Sequence, residues 1–189
     1  FCAAIVVNID SPQFREVVSA VPEFSLAEGG ADTESREVAT AAHAELKRLL
    51  EFSGIFKLMG EAAFRELVTK APTKWFREEG VGSVDLLEWK NVGVESLTVA
   101  ELSRENSASW SLIIRTIDVA RREVLVGKKY SEISRKQIIS VIRRYADDIL
   151  RAYTGKSGIF NSKLVFVGRT SPKAAKQIFI ADFDGSNPI

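Results

Sequence analysis

The sequence predicts an α/β fold, in which strands and helices follow one another along the chain, and a β-hairpin after it. Two segments, 33–53 and 134–154, carry apolar residues at the spacing of a buried helix face. Short runs rich in β-branched and aromatic residues, bounded by turn residues, predict strands around these helices. A glycine-containing linker at 155–158 separates two further strand-like runs from the rest. We therefore divide the 189 residues into units 1–155 and 156–189.

The first part of the chain predicts two strands and a long helix. Runs of apolar and β-branched residues predict strands at 5–9 and 14–21. Asp32 or Thr33 is placed to cap the helix, and Gly54 is placed to end it. The buried face of this helix is expected to contain Val38, Ala42, Leu46, Leu49 and Leu50.

The middle of the chain predicts shorter elements. We expect strands at 55–59 and 94–102, short helices at 64–72 and 83–89, and an antiparallel hairpin of 110–118 and 123–130. Ser83 is the expected cap of the second short helix. A turn at 105–107 joins the strand at 94–102 to the hairpin.

The second long helix has the clearest amphipathic pattern in the sequence. Ser134 is its expected cap, and Gly155 is its expected end. Its buried face is predicted to contain Ile138, Ile142, Tyr145, Ile149 and Tyr153. On the outer face we expect ion pairs four residues apart, namely Arg143 with Asp147, Arg144 with Asp148, and Asp147 with Arg151. Strands at 163–167 and 177–182 follow, with a turn at Asp184-Gly185. A lone hairpin is marginal in water, so this one should pack on the domain or belong to a larger β structure.

Composition narrows the function only slightly. The net charge is +1, although residues 134–189 hold ten Lys or Arg against four Asp or Glu. This basic segment is interpreted as solvated helix and hairpin faces, with a nucleic-acid patch as the alternative. Cys2 is the only cysteine, so no intrachain disulfide can form, and cysteine usage does not choose between cytoplasm and periplasm. Residues 1–4 fit the tail of a cleaved signal peptide or a foreign start, and Phe1 before Cys2 argues against a lipid anchor.

Residues for catalysis, metal binding or a cofactor are not predicted. His43 is the only histidine and lies in the first long helix, where a core or surface position is the expected role. No glycine-rich phosphate loop and no nucleophile motif is present. Asp182 and Asp184 resemble a catalytic or cation-binding carboxylate pair, but their place at a hairpin end favours turn formation. The aromatic–basic run Trp75-Phe76-Arg77 is typical of a loop anchor or, alternatively, of base stacking.

Residues 145–167 read YADDILRAYTGKSGIFNSKLVFV. This passage resembles the TolB family, in which a helix ending in Leu-Thr-Gly runs through Gly-x-Phe into a strand. Residues 180–187 resemble the Asp-(Tyr/Phe)-Asp-Gly-x-Asn motif that closes the first propeller hairpin of that family. Similar matches occur in order at 5–11, 49–56, 89–94 and 115–130. The chain departs from the family at Ala100, where glycine is usual, and in the longer segment 61–83.

The resemblance implies a mixed-sheet α/β domain with two main helices, similar to anticodon-binding domains, followed by a hairpin from a truncated β-propeller. It also implies a non-catalytic periplasmic adaptor that binds TolA through its N-terminal strand and Pal through the propeller. The positions that match the TolA-binding strand are Ile5, Val6, Val7, Asn8, Ile9, Asp10 and Ser11. No Pal-binding residue can be carried over. An anticodon-binding-like nucleic-acid module is the alternative function, and an enzyme is disfavoured by the missing catalytic groups.

Overall fold

The computed structural model describes residues 15–27, 32–70, 85–171 and 173–189. The strand predicted at 5–9 and the run around Trp75 lie outside these residues. The described elements are, in chain order, β1 (Val17–Ala20), β2 (Ser25–Leu26), α1 (Thr33–Phe52), β3 (Phe56–Leu58), α2 (Arg65–Lys70), α3 (Leu86–Asn91), β4 (Ser96–Arg104), β5 (Ser109–Asp118), β6 (Glu123–Ser134), α4 (Ile138–Thr154), β7 (Lys163–Gly168) and β8 (Gln177–Asp182).

The main sheet is mixed, which confirms the predicted fold class. Its strand order is β3-β1-β4-β5-β6, and β2 pairs separately with β4. The pairs β1–β3, β1–β4 and β2–β4 are parallel, whereas β4–β5 and β5–β6 are antiparallel. Strands β7 and β8 form a second, two-stranded antiparallel sheet that shares no strand with the first.

Helices α1 and α4 cover one face of the main sheet. All five predicted core positions of α1 are buried, as are Ile138, Ile142, Tyr145 and Ile149 of α4, whereas Tyr153 is partly buried. They meet inward-facing strand residues that include Leu102, Trp110 and Ile114. The opposite face carries a smaller cluster, in which Leu97, Val99 and Ile117 meet Phe64 beside α2 and Trp89 of α3. Because successive strand residues point to opposite faces, alternating apolar positions supply both clusters.

Both ends of α1 follow the expected chemistry, whereas the N-terminal caps of α3 and α4 depart from it. The Asp32 carboxylate accepts the Ser35 N–H at 3.0 Å, and Gly54 follows the helix at φ +67°. The prediction of Ser83 as the cap of α3 is wrong, because the Asp85 carboxylate accepts the first N–H groups. The prediction of Ser134 as the cap of α4 is also wrong. Ser134 ends β6, and its N–H and hydroxyl donate to the Gln137 side chain.

The charges on the outer face of α4 bind partners on other elements instead of the partners predicted within the helix. Arg143 donates to Glu45 of α1 at 3.1 Å and to Asp182 of β8 at 2.9 Å. Asp147 accepts the Phe160 N–H at 2.9 Å and the Asn161 side-chain amide at 2.8 Å. Tertiary contacts therefore replace the expected i,i+4 pairing at these two positions. Gly155 ends the helix at φ +71°, as predicted.

Candidate protein interface

The predicted partner strand, Ile5, Val6, Val7, Asn8, Ile9, Asp10 and Ser11, lies outside the described residues, and its role stays a prediction. The structure shows where the chain enters the sheet after it. The side chain of Arg15 pairs with Glu95, and the Val17 N–H donates to the Ile55 carbonyl at 2.8 Å. Strand β1 then runs between β3 and β4 in the interior of the sheet.

The hairpin of β7 and β8 exposes apolar side chains on both of its faces. On one face, Val165, Val167, Ile178 and Ile180 are 67%, 63%, 72% and 43% exposed. On the other face, Leu164 and Phe166 are 44% and 43% exposed, and Phe166 stacks on Phe179 with ring centroids 5.5 Å apart. Contiguous exposed apolar residues in a folded chain indicate a surface that another protein element covers. The hairpin therefore presents two candidate interaction faces.

The edge of β8 that faces away from β7 is partly paired. Ile180 and Ile189 exchange two backbone hydrogen bonds, at 3.0 and 2.9 Å. This reciprocal pair is the pattern of neighbouring antiparallel strands. The turn predicted at Asp184-Gly185 is confirmed, with Gly185 at φ +82°, and it brings the chain back along β8. This one reciprocal pair places Ile189 beside β8, on the side away from β7.

Two phenylalanines anchor the base of the hairpin to the main domain. Phe160 and Phe183 are 1% and 5% exposed, and their ring centroids lie 5.1 Å apart in an edge-to-face arrangement. Phe52, near the end of α1, packs against Phe183 at 5.3 Å. The guanidinium groups of Arg48 and Arg143 lie 5.6 and 5.5 Å from the centre of the Phe183 ring. Aromatic and cation–π contacts therefore hold the hairpin base between α1 and α4.

Asp182 and Asp184 flank this anchor and do more than form the predicted turn. Asp182 is 6% exposed and binds Lys163, Arg143 and Asn187 at 2.5, 2.9 and 2.9 Å. These bonds hold the pKa of the Asp182 carboxyl well below its usual value. Asp184 accepts from the Ser186 hydroxyl at 2.6 Å and from Arg48 at 2.8 Å, and its pKa falls to about 2. Sequence reasoning missed these ion pairs because Lys163, Arg143 and Arg48 are 19, 39 and 136 residues away from their aspartates.

The other polar groups considered as chemical candidates have structural partners. The His43 Nε2–H donates to the Val21 carbonyl at 2.9 Å, and its ring meets Phe24 edge-on, which confirms the core position. Among the described residues, no three or more His, Cys, Asp or Glu side chains are grouped as a metal site would require. Over the same ranges, no helix combines the length and the apolar character needed to cross a bilayer.

Together, the fold and this surface define a mixed α/β domain joined to a small β-sheet that has exposed apolar residues on both faces. No family model matches the chain. The Tol-Pal system protein TolB of Hydrogenovibrio crunogenus is 31% identical over 137 residues, which are 71% of this chain and 29% of that protein. The Tol-Pal system protein TolB of Desulfosudis oleivorans is 28% identical over 183 residues, 96% of this chain and 39% of that protein. The chain is therefore TolB-like.

A solved structure supports the same fold. The crystal structure of TolB from Acinetobacter baumannii superposes with a TM-score of 0.60 at 17% identity, and the match covers 92% of this chain and 38% of that one. At this identity the likeness shows the fold alone. The chain spans about a third of the length of these TolB proteins. The resemblance stated from the sequence motifs is confirmed by these comparisons.

Proposed function

We propose that the chain is part of a non-catalytic periplasmic adaptor of the Tol-Pal envelope system. In this proposal, residues 1–155 form the N-terminal domain, and 156–189 form the linker and the first hairpin of a β-propeller blade. The segment Ile5, Val6, Val7, Asn8, Ile9, Asp10 and Ser11 binds TolA, and the propeller binds Pal. Through these partners the protein supports outer-membrane integrity and cell division. The TolB similarity and the exposed hairpin support the proposal.

The observation that carries the proposal is the hairpin with two apolar faces. A blade of a propeller is a small antiparallel sheet with neighbours on both sides. Val165 and Ile178 on one face and Phe166 on the other would then lie against adjacent blades. The backbone pairing of Ile180 with Ile189 supports the start of a third strand in the same blade.

The test of TolA binding uses the N-terminal segment. Deletion of residues 1–11 is expected to abolish capture of the chain by immobilised TolA, while the far-ultraviolet circular dichroism of the α/β domain persists. The physical reason is that an extended segment binds through backbone hydrogen bonds and alternate side chains. Unchanged capture after the deletion would refute this part of the proposal.

Alternation within the segment offers a matched pair of variants. In a strand, Ile5, Val7 and Ile9 face one side, and Val6 and Asn8 face the other. Val7→Asp on one side and Val6→Asp on the other change the same residue type, and they should weaken TolA capture to different extents, because only one side meets the partner pocket. Equal loss from both variants would contradict a strand-like binding mode.

The propeller assignment is tested by comparing the 189-residue chain with a longer gene product that includes the proposed propeller. The 189-residue chain is expected to bind the apolar dye ANS at the hairpin, and Val165→Ser with Ile178→Ser should lower that fluorescence. The full-length product should bind less dye, because adjacent blades cover both faces. Equal dye binding per molecule by the two products would contradict a blade.

The nucleic-acid alternative draws on the basic segment 134–189. In the structure, Arg135 pairs with Glu37, and Arg143 and Lys163 pair with Asp182, so part of that positive charge is neutralised locally. This pairing favours the protein-binding proposal. RNA binding that weakens steeply with added salt would support the alternative instead.

A further inference from the structure

We propose that the tripeptide Asp182-Phe183-Asp184 is a latch that fixes the orientation of the hairpin on helices α1 and α4. Any reorientation of the hairpin then requires release of this tripeptide. The proposal concerns contacts within residues 45–187 and holds whether or not a propeller follows. Three groups of contacts support it: the aromatic seat of Phe183, the ion pairs on either side of it, and the attachment of the linker.

The aromatic seat gives the latch its position. Phe183 enters a site between Phe52 and Phe160, and both rings meet it edge-on, at 5.3 and 5.1 Å. The ring is 5% exposed, although most residues of the two strands that precede it are open to solvent. Burial of one aromatic ring removes a large apolar area from water. Phe183 is therefore the point at which the hairpin joins the core of the main domain.

The ion pairs fix the rotation of the hairpin about Phe183, because each carboxylate binds an arginine of a different helix. Asp184 binds Arg48 of α1 at 2.8 Å, and Asp182 binds Arg143 of α4 at 2.9 Å. Glu45 accepts from both arginines, at 2.8 to 3.1 Å, and both guanidinium groups lie within 5.6 Å of the centre of the Phe183 ring. Charge-assisted hydrogen bonds of this kind impose geometry as well as attraction. Rotation of the hairpin about Phe183 would break at least one of them.

The linker provides a second attachment point. The Asp147 carboxylate accepts the Phe160 N–H and the Asn161 amide, at 2.9 and 2.8 Å. Gly158 lies so close to Asp147 that a Cβ atom at this position would stand 2.0 Å from Oδ1 and 2.8 Å from Cα. The hairpin is therefore attached at two separate points, the linker and Phe183. A single attachment would let the hairpin rotate, whereas two attachments fix its orientation.

The latch is tested by ¹⁵N relaxation of the 189-residue chain. If the latch holds, backbone amides of β7 and β8 report the same rotational tumbling time as those of α1 and α4. In Phe183→Ala the hairpin amides should show faster local motion, with order parameters falling below about 0.6, while the helices keep their values. The matched control is Phe166→Ala, which removes an equal ring from the far part of the hairpin. It should leave the shared tumbling intact.

A second set of variants tests the latch if Phe183→Ala disturbs the folding of the main domain. Arg48→Gln and Asp184→Asn each break the same ion pair and should each raise hydrogen exchange at the Asp182 amide severalfold. The effect of the double variant should be smaller than the sum of the two single effects, because both single variants lose the shared Arg48–Asp184 contact, although Arg48 also loses Glu45 and Asp184 also loses the Ser186 hydroxyl. Independent tumbling of the unmodified hairpin would overturn the latch, as would additive effects in the double variant.

Discussion

The main sheet and the hairpin are built from similar runs of residues, yet they end in opposite environments. In β5, Leu112 and Ile114 are fully buried, whereas Val165 and Val167 in β7 are more than 60% exposed. Both strands are rich in apolar and β-branched residues, so local strand propensity does not separate them. The difference arises from what the rest of the chain supplies. Helices α1 and α4 cover the main sheet, and the described residues place nothing comparable over the hairpin.

This contrast shows where each part obtains its stability. The main domain combines six strands with a large apolar cluster and should fold by itself. A two-stranded sheet open on both faces lacks such a cluster and is marginal in water. Its order must come from the contacts at its base, chiefly Phe183, and from any element that covers its faces. Substitutions can test this division directly.

The largest expected effect comes from truncating the same residue type in each region. Leu46→Ala removes a fully buried side chain of α1 and should lower the free energy of unfolding by about 2–5 kcal/mol. Leu164→Ala, at a position 44% exposed, should lower it by no more than about 0.5 kcal/mol. Urea unfolding followed by circular dichroism measures both values. Similar losses would mean that the hairpin belongs to the same cooperative core as α1.

Most of the fold could be predicted from the sequence because it depends on local patterns. The stripe from Val38 to Leu50 identified the buried face of α1, and the hairpins were found from runs of strand residues between turn residues. The caps of α3 and α4 were predicted wrongly, because several nearby polar residues are close enough to serve the same N–H groups. At α3 the Asp85 carboxylate accepts the first N–H groups, whereas Gln137 precedes α4 without a side-chain cap bond, and its amide oxygen accepts from Ser134 instead.

The junction could not be predicted, because its partners are far apart in sequence. Arg143 and Asp147 have the spacing of a helix ion pair, and a sequence offers no reason to expect another outcome. The fold instead brings Glu45 and Asp182 to Arg143, and brings residues 160 and 161 to Asp147. A helical wheel places these two charged side chains in solvent, but in the folded chain they bind partners from distant parts of the sequence.

An intermediate effect is expected at the linker. Gly158→Ala places a methyl group against Asp147, where no space exists, and should cost about 1–3 kcal/mol of stability in the linker and hairpin. Hydrogen exchange of the Phe160 amide, which donates to Asp147, measures the effect locally. Gly60→Ala is the matched control, because nothing lies within 4 Å of a Cβ atom at that position and its φ is negative. Equal responses of the two variants would show that Gly158 is not a close-contact position.

The smallest effect is expected from lowering the pH, which should weaken the contacts at the base of the hairpin by protonating Asp184. The ordinary pKa of this carboxyl is 3.8, and in the folded chain it falls to about 2, first because of the Ser186 hydroxyl, then because of the Ser186 backbone N–H, and then because of Arg48. Since the folded pKa is the lower one, the ionised group stabilises the folded state above about pH 4, and this contribution is lost as the pH falls towards 2. The side-chain carbon shift of Asp184, followed by NMR, should titrate with a midpoint near 2.

A comparison with Asp32 separates the two regions in the same experiment. The pKa of Asp32 also falls to about 2, because the side chain and backbone of Ser35 donate to it at the start of α1. Asp184→Asn should remove the acid dependence of hydrogen exchange at the hairpin base and leave that of α1 unchanged, and Asp32→Asn should do the reverse. If Asp184 titrated near pH 4 instead, its bonds to Ser186 and Arg48 would not persist in solution, and the carboxylate would contribute little to holding the hairpin.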